Sequence, residues 1–184
     1  IRSWPSVSAG ASEEEGEGRP VSDTAAPLSV VLASPQLWLL LVIFAICGFQ
    51  DFFMVTHVFA FADDQGVGPV LAGNLLALMG VMGMAGVLAS GVLADALGAR
   101  RPSAICFVIR IAIFAPIIYF QNTATIVAFA LAYGFTFMIT APLTVLFARN
   151  IFGVARTGTV AGLIIMVHQV AGATGAYVGA AIFD

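Results

Sequence analysis

The stretch Gly91-Val92-Leu93-Ala94-Asp95-Ala96-Leu97-Gly98-Ala99-Arg100-Arg101 divides two long apolar runs, about 69–94 before it and about 102–120 after it. A helical crossing of a bilayer needs about 20 consecutive apolar residues, and the runs on either side fit that length. Asp95 and Gly98 suit a tight turn at a helix end, and the paired arginines hold that turn among headgroups. The stretch therefore reads as a short link between two membrane spans, and the rest of the chain follows from it.

Working outward, Pro35 onward resolves into five spans at about 36–58, 69–94, 102–120, 124–148 and 159–183. Pro69 and Pro102 open two of them at helix-start positions that tolerate proline. Long continuous runs exclude the short alternating segments of a β-barrel. Composition agrees: 60% of the 184 residues are hydrophobic and 9% charged, where a soluble domain carries about a quarter charged. The expected fold is an all-α, polytopic membrane helix bundle with lipid around it.

Residues 1–35 differ. They hold Glu13, Glu14, Glu15 and Glu17 with little apolar periodicity, too little to offset ordering entropy, which predicts a disordered acidic tail. The whole formal charge of −3 belongs to that tail, because the other acids and arginines balance. All seven basic residues are Arg and do not form a stripe, so a nucleic-acid surface is not expected. Cys47 and Cys106 lie in apolar runs without paired spacing; neither a disulfide framework, a metal site nor a cofactor site follows, and both read as small buried apolar residues.

Arginine placement orients the chain. Arg100 and Arg101 lie in one link and Arg149 and Arg156 in another, whereas the links 59–68 and 121–123 carry none. The positive-inside rule then puts the tail and both Arg-bearing links in the cytoplasm. Five crossings leave Asp184 outside, which fits a chain cut short of a sixth span.

Read as G-x-L-A-D-x-x-G-x-R-R, the link Gly91, Asp95, Gly98, Arg100, Arg101 resembles the signature cytoplasmic loop of the major facilitator superfamily of transporters. Ala96 and Ala99 depart from the extra basic residues that the family prefers. The resemblance implies that Asp95 contacts the N-terminus of a helix in the other half, where the dipole favours a carboxylate. The acidic segment looks like that family's linker between two six-helix halves. The fifth span around His168-Gln169 and the Phe107-Val108-Ile109-Arg110 motif are similar to the monocarboxylate and oxalate/formate branch. On this likeness the chain would be an incomplete six-helix half, helices seven to eleven, of a transporter in a bacterial plasma membrane. Its partners would be the missing N-terminal half and the final helix.

Several residues stand out inside the spans. Arg110 lies about 12 Å along the third helix at 1.5 Å per residue, where a charge costs roughly 2.5–3.5 kcal/mol or more. It could serve an anion or proton pathway, snorkel to headgroups, or pair with a neighbouring helix. His168 shares one face with Gly172, Gly175 and Gly179, a surface for close helix packing, and its imidazole can exchange a proton near neutral pH. Tyr133, Thr136, Thr140 and Thr144 form a polar stripe that either lines a wet path or bonds back to its own helix, with a kink expected at Pro142. Asp51 could couple proton movement or pair with an arginine from an absent helix, and His57 reads as interfacial. Gly73, Ala77, Gly80 and Gly91 suggest a second packing face, with Asn74 reaching the outer cavity.

The expected function is that of part of a secondary transporter moving a small organic anion such as a monocarboxylate, coupled or not to protons, rather than of an enzyme. A five-span membrane-embedded enzyme or assembly factor would need a reactive cluster, and in the sequence the two histidines are far apart and the acids scatter. The N-terminal half of a similar transporter is the remaining alternative.

Overall fold

A computed structural model describes residues 27–183. Helix α1 spans Leu28–Leu32, α2 Pro35–Asp64, α3 Pro69–Leu97, α4 Arg100–Tyr119, α5 Thr123–Phe137, α6 Thr140–Phe152 and α7 Thr157–Phe183. Together they supply five spans long and apolar enough to cross a membrane, with α5 and α6 sharing one. The chain is an integral membrane helix bundle, and no strand occurs among the described residues.

The expected acidic tail lies mostly outside the described residues. Its last part is helical instead of irregular: α1 buries Val31 against Leu37, Leu40 and Phe152, and the Trp38 indole donates to the Leu32 carbonyl at 2.9 Å. The apolar text Leu28-Ser29-Val30-Val31-Leu32 is enough to dock a single turn. Ser34 then caps α2, accepting from the Leu37 amide, and Pro35 follows at the first helical position, where its missing N–H costs nothing.

Helix α2 runs to Asp64, six residues beyond the expected end at Val58. The continuation Phe59-Ala60-Phe61-Ala62 is itself apolar, and Ala62 is fully buried. The reverse between α2 and α3 is thus short and turns at Gly66, with φ +74°. The link after α3 turns at Gly98, with φ +72° and ψ 165°, a region open in practice to glycine alone. Its amide closes on the Ala94 carbonyl at 2.8 Å. Arg100 and Arg101 begin α4, where the helix dipole opposes a cation.

The fourth span is broken rather than merely kinked. Helix α5 ends at Phe137 and α6 starts at Thr140, so the interruption falls at Met138–Ile139, four residues before Pro142. Proline lacks the N–H that would bond the carbonyl four residues back, and its ring crowds that same carbonyl. The sequence places the cause, and the effect appears one turn earlier.

Packing sorts the helices into two tight pairs, α2 with α7 and α3 with α5. In the first pair Gly172, Gly175 and Gly179 are buried against Phe52, Phe49 and His57, and Gly48 lies directly on the His168 backbone. A side chain at any of the four would meet the opposite helix, as expected for helices that associate through small residues. In the second pair the buried face of α3 is Ala72, Leu75, Met79, Gly83, Gly86 and Ser90. This corrects the expected face: Gly73, Gly80 and Gly91 have open space around them, while Gly83 and Gly86 meet Met138 and Phe135. Both sets have helical spacing, and only the partner helix selects between them.

A buried charge cluster as candidate functional site

Asp51, Arg110, Thr136 and His168 each stand within two residues of the middle of their own span. Four different helices therefore deliver polar groups to one level. The longer α2 moves Asp51 from the outer half, where the shorter span placed it, to this centre. Asp51 and Arg110 form an ion pair, Oδ1 to Nη1 at 2.8 Å, with each side chain 1% exposed. Of the two readings open for Asp51, pairing with an arginine describes its geometry, and that arginine is Arg110 of the same chain, not one from an absent helix.

The carboxylate is saturated. Tyr133 donates its hydroxyl to Oδ1 at 2.8 Å, the Cys47 thiol donates to Oδ2 at 3.4 Å, and His168 Nε2 lies 3.4 Å from Oδ2. Arg110 spreads its other contacts over two helices. Nη1 also donates to Cys47 Sγ at 3.1 Å, and Nη2 donates to the Thr136 and Phe137 carbonyls at 2.9 and 3.3 Å. Its guanidinium carbon sits 5.3 Å from the Tyr133 ring centre and 5.8 Å from that of Phe107, within the range of a cation–π contact. Arg110 Nε is buried without a partner. Of the three readings open for Arg110 from sequence, pairing with a neighbouring helix describes its geometry, and snorkelling does not.

Cys47 Sγ, the Asp51 carboxylate and His168 Nε2 lie within 4.8 Å of one another, a spacing that metal ligands also show. Here Arg110 already donates to both Cys47 and Asp51, so a guanidinium fills the cationic place in the group and the donor set does not fit a metal. Cys47 is also the residue that sequence reasoning passed over as inert. Its signal was available: Cys47 and Asp51 are four apart and share a helix face.

His168 is the member of the cluster that reaches open space, its side chain 19% exposed, and its Nδ1 lies 3.3 Å from Gln169 Oε1. The hydroxyl stripe divides. Tyr133 serves Asp51, whereas Thr136, Thr140 and Thr144 bond back to carbonyls of their own span. Thr140 also lines, with Arg100, Leu39, Ile43, Phe107 and Phe147, an apolar groove of about 730 Å³ between α2, α4 and α6. Asn74 is exposed on α3 and has no place in the cluster. His57 is buried in the bundle: its Nε2 lies 3.1 Å from the Ala176 carbonyl oxygen, and its ring packs with Phe53 and Phe183.

At the level of the Arg-bearing links, Gly91 and Asp95 line a cavity of about 230 Å³ together with Ser90, Pro142 and Arg149. The last turns of α3 thus face α6. With this loop and the five spans in place, comparison with known proteins is informative: the profile described as Major Facilitator Superfamily matches residues 4–176. The chain belongs to the Major Facilitator Superfamily. It is also 29% identical over 144 residues to the uncharacterized MFS-type transporter YcxA of Bacillus subtilis (strain 168), a match covering 75% of this chain and 35% of that protein. The chain thus spans about a third of the length of this superfamily relative. No solved structure matches it.

Proposed function

We propose that the chain is part of a secondary carrier that moves a small solute by alternating access, and that the solute is a small organic anion such as a monocarboxylate. The observation that carries this reading is the mid-span cluster of Asp51, Arg110, Tyr133 and His168, contributed by four helices. Ionisable groups inside a membrane are costly and mark pathways when they face a bundle interior, and carriers built on repeats bind near the midplane. In this reading His168, the exposed edge of the cluster, meets the solute or a proton. Asp51 and Arg110 hold the charge balance behind it, and Tyr133 fixes the carboxylate. Thr136 and Thr140 lie along the same pathway on the broken span, and Asn74 serves the outer approach on α3.

The likeness of the Gly91–Arg101 link and of Phe107-Val108-Ile109-Arg110 supports placement in the second half of such a carrier, in the monocarboxylate and oxalate/formate branch. Arg100, Arg101, Arg149 and Arg156 support a cytoplasmic position for the N-terminal side and for both Arg-bearing links, in a bacterial plasma membrane. The remaining helices of the carrier would complete the cavity and supply the partner of Asp95.

The test is uptake of radiolabelled monocarboxylates and dicarboxylates by the complete transporter in proteoliposomes. Wild-type protein is expected to accumulate at least one of them, and His168→Ala to lower its uptake at least tenfold with protein levels unchanged. Full uptake by His168→Ala removes His168 from the pathway, and failure of every organic anion removes the solute class.

A further inference from the structure

The break between α5 and α6 frees carbonyl oxygens that an unbroken helix would satisfy. The Phe137 carbonyl loses the Ala141 amide, which bonds Met138 instead at 3.4 Å. The Thr136 and Phe137 carbonyls both accept from Arg110 Nη2, and Thr136 accepts the Cys106 thiol as well. The end of a half-helix carries partial negative charge, so a guanidinium is suited to this position.

The same guanidinium faces the other way through Nη1, which holds Asp51 and Cys47 of α2. A planar fork with donors on both sides can join two helices in this manner, whereas the single ammonium of lysine offers one point of charge. We infer that Arg110 is a positioning residue that ties the broken α5–α6 span to Asp51 of α2, so that loss of the charge on Asp51 loosens the break. The groups facing Asp51 are Cys47 on its own helix, Arg110 on α4, Tyr133 on α5 and His168 on α7. Movement of α6 would then follow events at the cluster, and α6 shares the 230 Å³ cavity with Asp95 and Gly91 of the signature link. None of these contacts depends on which solute is carried.

Hydrogen–deuterium exchange of the complete transporter in lipid nanodiscs tests it, with Arg110→Gln, Arg110→Lys and Asp51→Asn beside wild type. Residues 136–142 are expected to accelerate about tenfold more than α2 and α7 do in both Arg110 variants, the fold-change that one charge-assisted hydrogen bond is worth, on top of any loss of global stability. Asp51→Asn is expected to speed the same segment, although Asp51 makes no hydrogen bond to it. Unchanged rates in 136–142, or equal acceleration in every helix, overturns the inference, the latter because Arg110 would then brace the fold at large. A wild-type rate in Arg110→Lys shows that a point charge suffices and refutes the two-sided fork. Should Arg110→Gln fail to fold, Arg110→Lys and Asp51→Asn decide the matter alone.

Discussion

Asp51 on α2 and Arg110 on α4 meet at 2.8 Å in the middle of the bundle, each 1% exposed. Attraction alone does not make such a pair strong, since both charges are removed from water. What makes it tolerable is the completeness of its surroundings: Tyr133, Cys47 and His168 complete the carboxylate, and two carbonyls with Cys47 complete most of the guanidinium. Removing one partner leaves the other buried and unpaired. Arg110→Gln or Asp51→Asn alone is therefore predicted to lower stability by about 3–5 kcal/mol, and the double variant to lose less than the two together. Thermal unfolding in mild detergent measures the cycle; strictly additive losses would show that the two side chains do not interact.

Tyr133 gives a finer probe. Its hydroxyl donates to Asp51 at 2.8 Å while its ring stacks with Phe129 at 5.5 Å between centres. Tyr133→Phe keeps the ring and removes the donor, with an expected cost of about 1.5–3 kcal/mol for a hydrogen bond to a charged group. A variant as stable as wild type would mean that the carboxylate finds a replacement donor.

The two glycine stripes predict opposite outcomes for one kind of change. A Cβ on Gly48 would meet the His168 backbone, so Gly48→Ala must push α2 and α7 apart. Gly80 has open space around it, and Gly80→Ala is expected to stabilise by about 0.5–1 kcal/mol through helix propensity. Comparing melting temperatures of the two variants checks which stripe is the packed one. Equal effects at both positions would contradict the assignment.

Gly98 sits at φ +72° and ψ 165° in the signature link. Gly98→Ala is expected to cost about 1–3 kcal/mol as backbone strain, although nothing crowds the position. Faster proteolysis within 95–101 by an added protease would report the loosened turn, and an unchanged cleavage rate would show that the turn accepts a side chain.

Much of this bundle was legible in the sequence because hydropathy acts locally. Pro35, Pro69 and Gly98 mark helix ends by their own chemistry, and the runs between them need no partner to be recognised. The cluster was legible only as parts. Asp51, Arg110, Tyr133 and His168 stood out one by one as polar residues in apolar runs, yet their meeting depends on helix rotation, which the sequence leaves open. Asp51 fell in the outer half of its span, away from the level of Arg110, because α2 was read six residues too short. Cys47 was passed over because a thiol in an apolar run reads the same whether or not a guanidinium lies beside it. The α3 stripe was misread for the same reason, since Gly73, Gly80 and Gly83, Gly86 differ only in what α5 presents to them.

The pairing of Asp51 with a residue two helices later has a consequence for biogenesis. At a synthesis rate of roughly 5–20 residues per second, Arg110 leaves the ribosome several seconds after Asp51. For that interval the first span holds a solitary acid, a penalty of about 2.5–3.5 kcal/mol at a helix centre during translocon insertion. Nascent chains ending before Arg110 should therefore insert their first span less completely than the same chains with Asp51→Leu, a difference that glycosylation-site mapping reads directly. Equal insertion would mean that the acid is sheltered by other means. The acid that anchors one side of the finished cluster is thus a burden on α2 until Arg110 arrives to pair with it.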